Sequence, residues 1–410
     1  MTTRRILLAD ADAFFVAVAR MADPEGAGKA PLLIVGGKPG SRGVVCSASY
    51  ETRAFGVRSA MPIAQALRLC PDAMCVPVPR QACGATSRAI AAVLARWTPV
   101  VEGASIDEWY LDLTGTEALY RHEPLAETAA RIRAQVHAET GMWISIGGGT
   151  SKLVAKLAAE RAKPKPGSGA TGVRVVDAGG EGEFLREFAL AELPGVGPKL
   201  QEKLASLGMV RVEDVLSHDR ATLARWLGRR QAEWLWARVR GIHATPVEAR
   251  ASSKQVSRET TFDRDIVETA AIARVLRALS AKAAADLRGD RLGARTVTVK
   301  LKDHDFTTRL ASRTVPEPIE SDRAVAEIAV QLLAKLRQAR PVAARLVGVS
   351  LGNLTAARDA EQLGLFGAAA GSVAPAPVER TEDRAVSRAM DRVRERFGSE
   401  AIRTGSGRRA

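Results

Sequence analysis

The sequence predicts an α+β fold of several domains, and three observations predict it. Short apolar runs alternate with helical stretches through residue 163, without the Gly-x-Gly-x-x-Gly turn of a dinucleotide fold. A mainly helical stretch then runs to Gly241 between two polar connections, KPKPGSGATG (163–172) and HATPVEARASSK (243–254). Residues 254–354 read in β-α-β-β-α-β order, the split arrangement of a four-stranded sheet backed by two helices. A chain of 410 residues has ample core volume for such a plan.

The elements follow in order. RILLAD, ending at Asp10, is a short apolar run that delivers an acid at its C-terminal end, as a buried strand does. LLIVGG (32–37) is a second strand, and residues 42–62 give a third followed by a helix that Gly56 stops. A helix at 63–70 ends before Pro71, a short strand lies near 74–78, and an Ala-rich helix spans 84–97. VVEGASIDEWYLDLT (100–114) alternates apolar and polar residues around a compact middle, which predicts a hairpin. A helix at 125–141 capped by Gly141, the strand WISIGGG and a helix at 150–163 complete this part. A final amphipathic helix is predicted at 383–397.

The formal net charge is +14, of which +6 falls in residues 242–355, so a polyanion is the expected partner. Charge alone does not separate nucleic acid from an anionic membrane surface. No run approaches the length of a membrane span, and Asp10 and Asp12 interrupt the apolar N-terminal stretch well short of a signal-peptide core. Cys46, Cys70, Cys75 and Cys83 form no C-x-x-C pair, which leaves almost no material for a zinc site. The expected setting is the reducing cytoplasm, with no membrane partner.

Asp10 ends the first strand, and Asp107 and Glu108 lie inside the hairpin. Phosphoryl transfer needs charge neutralised on a polyphosphate and on a developing alkoxide, and carboxylates holding two divalent ions roughly 3.5–4 Å apart supply that. Neighbouring strand residues point to opposite faces, so Asp107 and Glu108 can serve one cluster only if the hairpin bends there, and Ser105 sits where such a bend wants it. Taken alone, such acids also read as a strand end and a polar turn.

ADADAFFVAV, SASYETRAFGVRSAMP, ASIDEWYLDL and KLAAERAKPKPG occur in this order, and with them the chain resembles the Y-family DNA polymerases, nearest their bacterial DNA polymerase IV branch. The resemblance runs from residue 4 to about 355. It implies a right-hand polymerase: palm at 1–13 and 81–166, fingers at 14–80, a helical thumb at 167–241, a linker at 242–253 and a little finger at 254–355. Residues 356–410 would be a flexible tail with a clamp-binding motif and a terminal helix.

The same resemblance assigns residues. Asp10, Asp107 and Glu108 would be catalytic and would bind two Mg²⁺ with the backbone carbonyl of Ala11. Phe15 would be the steric gate that collides with a ribose 2′-hydroxyl. Tyr50, Arg53 and Lys163 would bind the incoming triphosphate. Gly195 and Gly197, in a helix-hairpin-helix, and Lys254, Arg258, Lys300, Lys302 and Arg309 would contact DNA phosphates. Gln362, Leu363, Leu365 and Phe366 match a short motif for docking on the sliding clamp. The chain has Ala19 where the family commonly has Glu.

The function expected is template-directed DNA synthesis of the lesion-bypass type by a monomer: low in fidelity, without proofreading, acting on primer-template DNA and deoxynucleoside triphosphates. The alternatives are a DNA-binding accessory factor with an inactive polymerase fold, and a two-metal nuclease. Primer extension, or degradation of DNA without added nucleotides, separates the three.

Overall fold

The computed structural model describes residues 3–164, 169–249, 253–356, 378–398 and 401–402. The chain divides into two compact units, Met1–Ala251 and Ser252–Ala410.

In the first unit the strand Ile6–Ala11 lies at the centre of a five-stranded sheet. The order is Val101–Gly103, Glu108–Asp112, Ile6–Ala11, Ile144–Gly149, Val173–Val175. The period of two sorts the central strand by face. Leu7, Ala9 and Ala11 join one core with Ile90, Leu94, Ile132 and Val136, from the helices Arg80–Leu94 and Leu125–Thr140. Ile6 and Leu8 turn the other way, with Tyr110, onto Ala155 and Ala159 of the helix Lys152–Ala162. By the same parity Asp10 and Glu108 lie on the Lys152–Ala162 side of the sheet.

That helix sits close. A Cβ on Gly147 would lie 2.0 Å from the Ala159 nitrogen and 2.1 Å from the Ala155 carbonyl oxygen, so only glycine lets the helix approach the strand here. Gly147→Ala is expected to lower stability by about 1–3 kcal/mol, as overpacking does. Denaturant unfolding followed by tryptophan emission measures it.

The helix Phe14–Ala22 bridges two cores. Phe14 packs into the core of the large sheet, whereas Val16 and Ala19 pack on Leu33 and Val35 of a three-stranded sheet ordered Val45–Ala48, Leu33–Gly36, Met74–Val76. A helical cluster from Glu181–Arg186 to Arg229–Arg238 shares its core with Leu153, Val154 and Leu157. The strand Val173–Val175, only three residues long, was not anticipated; it sits inside the stretch read as mainly helical.

The second unit has the predicted element order. Its sheet runs Thr308–Ile319, Leu292–Asp303, Ala344–Ala356, Gln255–Ile266, antiparallel throughout. The helices Thr269–Gly289 and Asp322–Ala339 cover one face.

Of the stretch expected to be a tail with a terminal helix, residues 378–398 are described and packed. The helix Thr381–Phe397 packs on this unit, with Met390 and Ser387 buried. Glu379 is buried, and its carboxylate accepts from the backbone nitrogens of Glu320 (2.9 Å) and Ser321, at the start of Asp322–Ala339. Ser387 accepts from the Asp322 nitrogen at 3.1 Å. Amides that a helix start leaves without partners thus take them from chain about sixty residues downstream. Asp391 binds both Nε and Nη2 of Arg288, at 2.6 and 2.9 Å, and Arg288 also meets Asp322 at 2.9 Å.

Candidate active site

The site forms where the first strand ends. Asp10 stands opposite Glu108 on one neighbour and Ser145 on the other. The Ala11 nitrogen donates to the Asp107 carbonyl at 2.9 Å, which ties the hairpin turn to the strand end. The turn resolves the parity problem: the strand begins at Glu108, so Asp107 belongs to the turn and is released from alternation. The Ser105 hydroxyl donates to the Asp107 carboxylate and accepts from the Asp107 nitrogen at 3.3 Å.

Two lysines of one helix face meet these acids. Lys163 binds Asp10 at 2.9 Å and Glu160 at 3.0 Å, and Lys156 binds both oxygens of Glu108, at 2.7 and 2.8 Å. Burial raises the Asp10 carboxyl to about 6; Lys163 pulls it partly back, and Glu108 and Asp107 push it further up. Burial opposes the charge on Lys163, but Asp10 and Glu160 outweigh it and hold the ammonium above its ordinary value.

Among the described residues no three His, Cys, Asp or Glu side chains stand poised to share one ion. The carboxylates are instead held by lysine and serine. The donor set still fits a hard divalent cation, because it offers the carboxylate oxygens of Asp10 and Glu108 at one strand end and that of Asp107 in the adjoining turn.

Around the acids the chain turns sharply. Ala13 has φ 45°, a left-handed conformation, and the helix starts at once with Phe14 and Phe15. Phe14 is buried; Phe15 is half-buried and meets it edge-on at 5.6 Å. Asp12, not singled out as a site residue in the sequence, accepts from the buried Ser145 hydroxyl at 2.7 Å. Burial raises both Asp12 and the Tyr50 phenol, and both lie within electrostatic reach of Lys163.

Ser49 caps the short helix Tyr50–Ala54, accepting from the Thr52 nitrogen, and so sets Tyr50 and Arg53 at a helix start. Arg53 lies 5.3 Å from the Tyr50 ring centroid and donates Nε to the Ala48 carbonyl at 2.9 Å. Farther along, Gly195 has φ +96°, and a Cβ there would meet the Trp234 ring at 2.6 Å. Gly197 is the N-cap of Pro198–Ser206.

In the second unit register sorts the five basic candidates. Lys300 and Lys302 alternate with the core residues Val299 and Leu301 and lie on the face without helices, with Lys254 exposed just before the first strand. Arg309 pairs across from Leu301 and Arg258 from Val349, so both point to the helix-covered side. There Arg309 binds the fully buried Asp303 at 2.8 Å, and Arg258 binds Asp286. Arg309, committed to that buried acid, leaves the set of DNA contacts, whereas Arg258 stays exposed beside Asp286. Gln362, Leu363, Leu365 and Phe366 lie outside the described residues.

Lys156 was missed because a lone lysine on a helix reads as solvated. The available signal was Lys152, Lys156 and Lys163, spaced four and seven apart on one helix face.

Comparison with known proteins identifies the family. The impB/mucB/samB family model matches residues 9–160, the model of that family's C-terminal domain matches 253–365, and a DNA polymerase-iota thumb-domain model matches 191–243. DNA polymerase IV of Desulfatibacillum aliphaticivorans is 36% identical over 402 residues, covering 98% of this chain and 96% of that protein. DNA polymerase IV of Xanthomonas axonopodis pv. citri (strain 306) is 38% identical over 352 residues, 86% of this chain and 94% of the relative. Among solved structures, the Y-family DNA polymerase chimera Dbh-Dpo4(243-245)-Dbh superimposes with a TM-score of 0.76 at 26% identity, covering 86% of this chain and 99% of that one. The insertion ternary complex of Dbh DNA polymerase gives 0.60 at the same identity and coverage. With relatives this similar along nearly their whole length, the chain belongs to the Y-family DNA polymerases, in the DNA polymerase IV branch, and is a DNA-directed DNA polymerase.

Proposed function

We propose that this polymerase extends a primer 3′-hydroxyl across damaged template, with low fidelity and without proofreading. Asp10, Asp107, Glu108 and the Ala11 carbonyl would hold two Mg²⁺ ions. The observation that carries this reading is the meeting of Asp10 and Glu108 at one strand end, with Asp107 in the adjoining turn and Phe15 two residues past the bend. When bound, the ions supply activation of the primer hydroxyl and neutralisation of the triphosphate and leaving pyrophosphate.

The chain's own residues orient the reactants. Lys163, Tyr50 and Arg53 present an ammonium, a directional hydroxyl and a planar fork to phosphate oxygens. Phe15 places its ring where a ribose 2′-hydroxyl would project and rejects it by collision. Gly195, Gly197, Lys254, Arg258, Lys300 and Lys302 hold duplex phosphates without reading bases. Residues 362–366 dock on the sliding clamp, and the enzyme acts as a monomer.

Primer extension past one abasic template base, with and without clamp, tests the reading. Synthesis should stop at the lesion in a polymerase without bypass, and the clamp should leave extension unchanged if 362–366 is not its ligand. Phe15→Ala is expected to raise ribonucleotide incorporation on the order of 10²-fold, the discrimination one added hydroxyl can carry. Steady-state insertion of a ribonucleotide against its deoxy counterpart measures it.

A further inference from the structure

The helix Lys152–Ala162 makes three lysine–acid pairs with the sheet and strand end beside it: Lys152 with Glu102 at 2.6 Å, Lys156 with Glu108 at 2.7 Å, and Lys163, just past its end, with Asp10 at 2.9 Å. The missing Cβ of Gly147 lets this helix lie close on the strand, which brings its lysines over the sheet. Lys152 and Glu102 hold the hairpin's outer strand, away from the three acids at the strand end. Lys156 and Glu108 differ, because Glu108 belongs to that acidic set and Lys156 spends its ammonium on both of its oxygens.

We propose that Lys156 is a positioning residue that holds Glu108 in the cation-free enzyme and must release it before a divalent cation binds. The inference rests on the reading of Glu108 as a cation ligand. Acids this close repel one another, and Lys156 and Lys163 neutralise two of them. A cation entering the site competes with Lys156 for the same two oxygens. The pair is partly exposed, with side-chain exposures of 37% and 23%, so it yields readily and its release weakens cation binding only modestly. The consequence is an acidic site that keeps its geometry when empty and does not capture stray cations tightly.

Mn²⁺ titration of the full chain without DNA or nucleotide, read by the EPR signal of the free ion, tests this. Lys156→Met is expected to tighten Mn²⁺ binding roughly two- to fivefold, the size of a partly exposed ion pair. Lys156→Gln should do the same, Lys156→Arg should restore the parent affinity, and Lys152→Met should leave it unchanged. Unchanged or weaker binding in both Met and Gln variants of Lys156 overturns the proposal. Glu108→Gln separates the two readings. If it weakens Mn²⁺ binding while the Lys156 variants change nothing, only the lysine's role fails; if it too changes nothing, the reading of Glu108 as a ligand fails with it.

Discussion

Glu108→Ala is expected to lower primer extension on the order of 10³-fold, and Asp107→Ala to match it. Glu108 opens its strand directly across from Asp10, and its carboxylate faces the helix side of the sheet with Lys156. Removing it takes away an oxygen donor and leaves Lys156 without its acid. On the proposed reading, a cation held here to activate the primer hydroxyl would lose a ligand. Asp107 acts from the turn, where Ser105 holds its carboxylate. Glu102→Ala is the matched control, since Glu102 binds Lys152 on the hairpin's other strand. Single-turnover extension on an undamaged template measures all three variants. Activity in Glu108→Ala within tenfold of the parent removes the proposed mechanism.

Arg288→Ala is expected to destabilise the second unit by about 3–5 kcal/mol, the penalty for breaking a buried ion pair from one side. The Arg288 side chain is 5% exposed and binds Asp322, Asp391 and the Glu320 carbonyl. Without it, Asp322, 9% exposed, keeps among the described residues only the ion pair with Arg394 at 3.8 Å. Asp391 loses its bidentate partner, one of the contacts that seat the terminal helix beside those of Glu379 and Ser387. All six tryptophans lie in residues 97–236, within the first unit, so their emission reports that unit alone. Circular dichroism reports helices of both units. The expected result is a lowered dichroism transition with an unmoved tryptophan transition; no shift in either contradicts the role given to Arg288.

Much of the fold was legible because burial leaves periodic traces. The central strand, the hairpin and the β-α-β-β-α-β order all read directly from alternation and turn residues. The three acids were legible as positions, and the hairpin bend between them could be argued from parity alone. Long-range pairing left no such trace. Arg309 reads as a phosphate contact until register places it across from Leu301, on the side of buried Asp303. The face of Arg258 is likewise set from afar, by Val349, ninety-one residues away. The terminal helix is amphipathic in sequence, but nothing local says that Glu379 caps a helix start or that Asp391 meets Arg288. Lys156 stayed hidden because its value comes from Glu108, forty-eight residues earlier on another element.

The central claim is that Asp10, Asp107 and Glu108 together seat divalent cations beside Phe15. Anomalous diffraction from crystals of the enzyme with primer-template, nucleotide and Mn²⁺ tests it most directly. The account predicts two peaks roughly 3.5–4 Å apart beside these carboxylates. Peaks elsewhere, or a single peak touching none of the three acids, would contradict it.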